Sequence, residues 1–288
     1  QEEVLGEETK VFKTRDRSLR QIVENSVNHG DAEYIVCEGQ RITFREHHAR
    51  VSAMAHHLRH SYNVQKGDRV AILADNHPQW IITFWATVSI GGICAGLNGW
   101  WSRDEILHAL EDAQPKLLIG DRKRLARIQE LELGVPTLEI ESEFAGLMEG
   151  EVAPELPDAP IDEDDPCLIL YTSGTTGRPK GAVHVHEAVV AHHATARMVL
   201  DLHEDDTFWC TADPGWVTGT SYGIIAPLLH GITNIVDEAD FDAMRWCEIL
   251  ASRQVSVWYT APTAIRMLMK VGDDLAGKFD LRSLRFLS

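Results

Sequence analysis

The apolar residues follow two patterns that alternate along the chain: amphipathic segments with helical spacing, and short, almost continuous apolar runs. The helical pattern predicts helices over residues 18–28, 44–61, 78–90, 103–113, 187–200, 221–230, 241–254 and 262–271. The apolar runs predict strands over residues 34–38, 40–43, 69–74, 93–97, 116–119, 167–171, 181–186, 207–211, 232–236, 255–259 and 284–287. This alternation is typical of an α/β fold with layered, mainly parallel sheets and flanking helices.

Proline and acidic residues interrupt these patterns near the middle of the chain. Residues 151–166 combine prolines with carboxylates, a composition typical of a link between folded units. The sequence therefore predicts two α/β subdomains, over residues 1–150 and 167–288, joined by this link.

Composition limits the classes of partner. With 288 residues, 44% of them hydrophobic, the chain can form a substantial core. Its formal net charge of −17 argues against a nucleic-acid polymer as a partner, because neutralising phosphates requires a basic face. The most apolar stretch, residues 80–97, is broken by polar residues and a glycine pair, so it indicates a buried helix and no stable membrane insertion. Residues 1–10 lack the pattern of a signal peptide, and we predict a cytoplasmic protein.

Cysteine and histidine follow no metal-binding spacing. The five cysteines are far apart, which is typical of reduced thiols. The histidine pairs at 47–48, 56–57 and 192–193 fall within predicted helices. We expect most of these histidines to be exposed and predict no metal site from them.

Residues 171–181, with the sequence YTSGTTGRPKG, carry the clearest chemical signal. Glycines let the backbone bring N–H groups close to an anion, hydroxyls add short donors, and the cations add charge. The run is not GxxxxGK[ST], because two residues separate Gly174 from Gly177 and Gly181 follows Lys180. A surface hairpin without a ligand is the alternative interpretation. The candidate phosphate-binding residues are Thr172, Ser173, Gly174, Thr175, Thr176, Gly177 and Lys180.

This run resembles the signature loop of the adenylate-forming superfamily, which includes acyl-CoA synthetases, aryl-CoA ligases, luciferases and adenylation domains of nonribosomal peptide synthetases. The resemblance implies the fold of the N-terminal domain of those enzymes. It also implies ATP as a cosubstrate, Mg²⁺ to offset the phosphate charge, and catalytic roles for Thr176 and Lys180. Thr176 is the one residue of the loop that we consider as a magnesium ligand.

A second segment, residues 211–223, includes the run Gly-Trp-Val-Thr-Gly at a predicted strand end. It resembles the acetyl-CoA synthetase branch of the superfamily. That resemblance gives Trp216 a gating position, places Val217 against the acyl group and places Thr218 near the route of the CoA thiol. Bulky side chains there would select short acids by volume. The alternative is a tryptophan that fills a core beneath a glycine turn.

His186 follows the predicted strand after the loop, where many relatives carry histidine. The resemblance favours a role near the phosphates or CoA, and a buried structural histidine is the alternative.

The two halves of the chain resemble different branches. Residues 97–105 resemble medium-chain, long-chain or aryl ligases, whereas residues 184–270 resemble acetyl-CoA synthetase. Because the second half carries the predicted acyl pocket, a small carboxylic acid is the favoured substrate, with CoA as the acceptor. A longer or aromatic acid, or a carrier protein in place of CoA, remains an alternative.

Members of this superfamily continue with adenine-, magnesium- and ribose-binding motifs and a small domain that carries a catalytic lysine. The 288 residues contain none of these motifs. The resemblance therefore predicts the N-terminal part of an AMP-forming acyl-CoA synthetase that does not complete the reaction alone. The alternative from another class is a nucleotide-binding fragment without catalytic function.

Overall fold

The structure, a computed structural model, describes residues 1–4, 6–13, 15–147, 155–172, 177–272 and 275–288. The strands are β1 (Glu2–Val4), β2 (Glu7–Thr9), β3 (Glu33–Cys37), β4 (Gln40–Thr43), β5 (Arg69–Leu73), β6 (Ile93–Gly96), β7 (Leu117–Gly120), β8 (Thr137–Glu139), β9 (Pro166–Thr172), β10 (Lys180–Val185), β11 (Thr207–Cys210), β12 (Thr233–Ile235), β13 (Val257–Tyr259) and β14 (Phe286–Leu287). The α-helices are α1 (Leu19–Ser26), α2 (Phe44–His60), α3 (Pro78–Ser89), α4 (Arg103–Ala113), α5 (Arg122–Leu125), α6 (Ala145–Leu147), α7 (Val189–Met198), α8 (Ala226–His230), α9 (Ala243–Ser252) and α10 (Pro262–Val271).

Two six-stranded sheets form the framework of the described residues. The first has the order β10-β9-β6-β5-β7-β8 and the second β14-β13-β11-β12-β3-β4. Within each sheet the neighbouring strands are parallel, except for the antiparallel pairs β9–β10 and β3–β4. The predicted α/β class with mainly parallel sheets is therefore confirmed.

Both sheets take strands from either side of residues 151–166. Strands β9 and β10 follow this segment and join the first sheet, whereas β3 and β4 precede it and join the second. Neither sheet is built from residues 1–150 or 167–288 alone. The division of the chain into these two subdomains therefore stays a prediction.

Helix α3 lies in the core between the two sheets. It begins at Pro78, whose missing N–H suits a first helical turn, and nearly all of its residues are buried. Its Trp80 and Phe84 belong to the same hydrophobic cluster as Val70 of the first sheet and Ile35 of the second. A helix that is apolar on every face is expected where it must pack on both sides.

The predicted elements are present with small shifts at their ends. Helix α4 begins where the pattern predicts, after a capping box formed by Ser102 and Glu105. The helix predicted over 221–230 begins with a π-helical turn, Gly219–Ile225, before α8. None of the described helices is both long and apolar enough to cross a lipid bilayer.

The expectation that most of the paired histidines are exposed was wrong: of the six, only His193 is exposed, and the largest departure is His47. This residue is fully buried on α2, where its ring packs edge-on against Tyr34. Neither ring nitrogen has a hydrogen-bond partner among the described residues. Burial lowers the pKa of His47 to about 3, and the nearby His48 and Arg50 act in the same direction. The helical pattern gave no indication of this burial, because α2 packs on more than one face.

His47 should make the protein less stable in acid. Because its pKa is depressed from 6.5 in the folded state, its contribution is complete above pH 6.5 and declines as the pH falls toward 3. Between pH 7 and pH 5 this residue should account for about 2 kcal/mol of lost unfolding free energy. We expect His47→Leu to remove that loss in urea unfolding. His60→Leu, an exposed change on the same helix, should retain it. An equal acid loss in His47→Leu and the unsubstituted chain would contradict this prediction.

Candidate active site

A cavity of about 380 Å³ lies where the carboxyl ends of parallel strands from both sheets meet. In open α/β sheets this edge is the usual place for a binding site. The wall residues follow the ends of strands β5, β6, β11, β12 and β13 in turn: Asp75, Asn98, Thr211, Asp237 and Ala261.

The phosphate-loop segment lies on the same edge of the first sheet. The parallel pairing of β6 with β9 aligns Gly96 with Leu170. Asn98 and Thr172 each come two residues later in the chain, so both lie at the carboxyl-end edge of the sheet. The loop and the cavity, predicted from separate motifs, are therefore neighbours.

The loop connects the antiparallel strands β9 and β10, as predicted. Thr172 and Lys180 are register partners at its base. Gly177 has φ of +95°, in the left-handed region that favours glycine. The Lys180 side chain is exposed and makes no ion pair within the described part of the chain. Four of the predicted phosphate ligands lie outside the described residues: Ser173, Gly174, Thr175 and Thr176.

Helix α4 holds the base of this loop in place. His108 donates its Nε2–H to the Pro179 carbonyl oxygen at 3.1 Å. The Tyr171 hydroxyl lies 3.1 Å from the Ala109 carbonyl oxygen and 3.0 Å from a carboxylate oxygen of Asp112. Sequence reasoning missed this support, because His108 and Asp112 look like ordinary polar positions of an amphipathic helix.

Residues 213–219 form a tight turn at the cavity. A Cβ on Gly215 would lie 2.1 Å from the Leu97 carbonyl oxygen, and one on Gly219 would lie 1.9 Å from the Asp213 carbonyl oxygen. Both positions therefore require glycine, since no side chain fits against the neighbouring backbone. The Gly-x-x-x-Gly spacing seen in the sequence is explained by these two close approaches.

The predicted acyl-pocket residues occupy different environments. Trp216 is half-buried and lines the cavity together with Asn98 and Trp100. Val217 is 46% exposed and Thr218 is half-buried, and neither belongs to the cavity wall. The structure thus brings Trp216 into the cavity and leaves Val217 and Thr218 beside it.

A half-buried carboxylate on the cavity wall connects this turn to the first sheet. Asp213 Oδ1 accepts the Gly215 N–H at 2.8 Å, and its Oδ2 accepts the Gly99 N–H at 2.9 Å. Burial raises the pKa of Asp213 to about 7, against the lowering effect of these two N–H groups. Asp75 raises this pKa further, and Arg124 lowers it.

Arg124 is a buried cation next to Asp213. Its guanidinium donates to Asp121 and Asp75, both at 2.7 Å, and to the Gly99 carbonyl oxygen at 3.1 Å. Two carboxylates therefore surround one cation behind the cavity. The sequence analysis missed this group, because a basic run after a strand resembles an exposed helical turn. The Asp121 cap of α5, directly after a buried strand, was the available signal.

His186 lies at the opposite end of β10 from the loop. It is fully buried, and its Nδ1 accepts the Leu19 N–H at 3.1 Å. Burial lowers the pKa of His186 to about 4; Asp165 raises this pKa and Lys66 lowers it. The structure does not bring His186 to the phosphate loop or the cavity, because the length of β10 separates them.

Metal ligands are not assembled in the described ranges. No group of three or more histidine, cysteine, aspartate or glutamate side chains there could hold a metal ion. Thr176, the candidate magnesium ligand of the loop, lies outside these ranges. Magnesium binding by Thr176 therefore stays a prediction.

The chain is similar in sequence to acetyl-coenzyme A synthetases. The chain is 39% identical over 258 residues to the acetyl-coenzyme A synthetase of Bacillus subtilis, covering 85% of this chain and 45% of that protein. It is 36% identical over 295 residues to the one of Streptomyces coelicolor, covering 90% and 45%. The chain thus spans about half the length of these relatives.

Solved structures share the fold. The Brucella canis acyl-CoA synthetase superposes with a TM-score of 0.84 at 24% identity, over 94% of this chain and 52% of that one. The N-terminal domain of FACL13 from Mycobacterium tuberculosis gives 0.85 at 22% identity, over 94% and 69%. At these identities the likeness concerns the fold alone.

The family model of AMP-binding enzymes matches residues 22–288, which include the phosphate-loop hairpin and the residues that line the cavity. The chain belongs to the AMP-binding enzyme family.

Proposed function

We propose that this chain carries the phosphate loop and acyl pocket of an AMP-forming acyl-CoA synthetase that uses acetate or another short-chain acid. The observation that carries the proposal is the position of the loop hairpin beside the cavity, at one edge of the sheet. Membership of the family and 39% identity to an acetyl-coenzyme A synthetase support the same activity.

The proposed reaction has two steps. An oxygen of the acid attacks the α-phosphorus of ATP, which forms an acyl-adenylate and releases pyrophosphate. The CoA thiol then attacks the acyl carbonyl carbon, loses its proton, and releases AMP. Mg²⁺, when bound with ATP, would offset part of the phosphate charge.

In this scheme the loop binds the β- and γ-phosphates. Lys180 is exposed beside Thr172 at the base of the loop, where its ammonium can reach an incoming anion. Gly177 supports a sharp backbone turn through its left-handed φ. Ser173, Gly174, Thr175 and Thr176 complete the proposed set, and Thr176 and Lys180 are the proposed catalytic residues.

The acyl group is proposed to enter the cavity beside Trp216. A half-buried indole on the wall limits the volume next to it, so each added methylene of the acid should cost about 1–3 kcal/mol. Val217 and Thr218 lie just outside the wall, where the acyl group and the CoA thiol would meet. His186 is left out of this proposal because it is buried far along β10.

Replacing Lys180 should weaken nucleotide binding and tests the proposed function directly. A charge-assisted hydrogen bond contributes about 1.5–3 kcal/mol, so Lys180→Met should weaken ATP binding by roughly tenfold or more in calorimetric titration. Lys10→Met removes an equal charge from another exposed position and should leave the affinity unchanged. If neither ATP nor acetyl-sulfamoyladenosine binds the unsubstituted chain, the proposed function is wrong.

The contact of His108 with the loop should matter for the same binding. His108→Leu removes the donor to the Pro179 carbonyl oxygen and should weaken ATP binding about fivefold, since a neutral hydrogen bond contributes about 1 kcal/mol. His108→Gln keeps an N–H donor and should bind ATP nearly as well as the unsubstituted chain. Equal affinities for all three proteins would show that this contact does not order the loop.

Trp216 should set the preference for acid length. We expect the affinity for acyl-sulfamoyladenosines to fall from acetyl to hexanoyl in the unsubstituted chain. Trp216→Gly should improve hexanoyl binding by about tenfold, because the excluded volume becomes available. Trp100→Gly removes a 74% exposed indole at the same rim and should keep the preference for acetyl. An unchanged length preference in Trp216→Gly would refute the pocket assignment.

A further inference from the structure

Two strand-end loops from different sheets lie directly against each other at the cavity. Residues 98–101 follow β6 of the first sheet, and residues 211–219 follow β11 of the second. A Cβ on Gly215 would lie 2.8 Å from the Asn98 nitrogen, so the two backbones are in contact. Trp100 stands on one loop and Trp216 on the other, and both line the cavity.

We propose that Asp213 is a positioning residue whose ionised carboxylate fixes the Trp216 turn against the Trp100 loop and so sets the mouth of the cavity. Only the description of that cavity as an acyl pocket rests on the proposed function.

The geometry requires two acceptors on this side chain. Each carboxylate oxygen of Asp213 faces one backbone donor, Gly215 N–H on its own turn and Gly99 N–H on the opposite loop. An ionised carboxylate accepts both, whereas a protonated one carries a hydrogen on one oxygen. Protonation therefore turns one of these oxygens into an uncharged hydroxyl, a poorer acceptor, and weakens one of the two bonds.

The backbone of the Trp100 loop packs closely against Asp213, which also lines the cavity. A Cβ on Gly99 would lie 2.7 Å from Asp213 Oδ2 and 2.5 Å from Arg124 Nε. The carboxylate and the guanidinium thus pack against the same glycine backbone. These close contacts keep the loops from moving closer when the hydrogen bond weakens, so we expect them to separate.

The charged groups around Asp213 come from several elements. Asp75 follows β5, and Arg124 of α5 pairs with Asp75 and Asp121, so its charge is already shared. Arg127 donates to the Gly99 carbonyl oxygen at 2.8 Å on the far side of the loop. The segment after β12 adds three carboxylates to the region: Asp237 paired with Arg245, Glu238 paired with His77, and Asp240 paired with Lys123.

In this environment the ionisation of Asp213 falls in the neutral range, since burial raises the pKa of Asp213 to about 7. Two other bonds within the turn do not involve the carboxylate: the Thr220 hydroxyl donates to the Pro214 carbonyl oxygen at 2.5 Å, and the Trp216 N–H donates to the Asp213 carbonyl oxygen at 3.0 Å. Protonation should therefore move the two loops apart while each loop keeps its own shape.

The test is fluorine NMR of the chain labelled with 5-fluorotryptophan, titrated from pH 5.5 to 8.5 without nucleotide or acid. Trp100→Phe and Trp216→Phe assign the two signals. Both signals should shift with one common midpoint near pH 7.

Asp213→Asn should abolish that shift. Asp240→Asn, which neutralises another carboxylate at the cavity, should retain it, and so should His77→Gln, which removes the histidine paired with Glu238.

A midpoint that persists in Asp213→Asn, or that disappears in His77→Gln, overturns the proposal. So does the absence of any common transition in the unsubstituted chain, a result that needs no variant to fold. Gly99→Ala provides a second variant, because its Cβ must displace Asp213 Oδ2 or Arg124 Nε; it should remove the common midpoint as well. Since no nucleotide is present, failure of ATP binding would refute the proposed function without affecting this result.

Discussion

The two sheets are joined at the cavity by direct backbone contact between the segment after β6 and the segment after β11. Gly215 lies against the Leu97 carbonyl group, and Gly99 lies against both Asp213 and Arg124. A side chain at Gly215 would push the two backbones apart, and one at Gly99 would displace the Asp213 or Arg124 side chain. The cavity, the orientation of Trp216 and the buried charges all depend on this contact, because each is formed by residues within a few positions of it.

Carboxylates outnumber cations in this junction, as they do in the whole chain with its formal net charge of −17. Arg124 is surrounded by Asp75 and Asp121, and backbone N–H groups stabilise Asp213. Buried ion pairs contribute little net stability, since desolvation offsets much of their attraction. Their value here is geometric: the guanidinium reaches two strand ends and a loop at once, which fixes those segments relative to one another.

Local signals in the sequence predicted most helices and strands, because helical spacing and apolar runs depend on near neighbours. They did not predict that β3 and β4 join the second sheet, because β3 pairs with a strand far along the chain and such pairing has no local sequence pattern. The phosphate-loop hairpin was recognisable because glycines, hydroxyls and cations are concentrated in one short run of the sequence. His47, Asp213 and Arg124 were not recognisable, because their roles come from burial and partners that only the folded chain provides. Trp216 was predicted as a pocket residue and does line the cavity, whereas His186 lies away from it.

We propose that one edge of the first sheet presents a phosphate site and an acyl site side by side. A crystal structure of the chain with acetyl-sulfamoyladenosine is the decisive measurement. We expect the acetyl group in the cavity next to Trp216 and the sulfamoyl group on the side of the β9–β10 hairpin, toward Lys180. A ligand bound away from both Trp216 and the hairpin would show that the two sites are not at this edge.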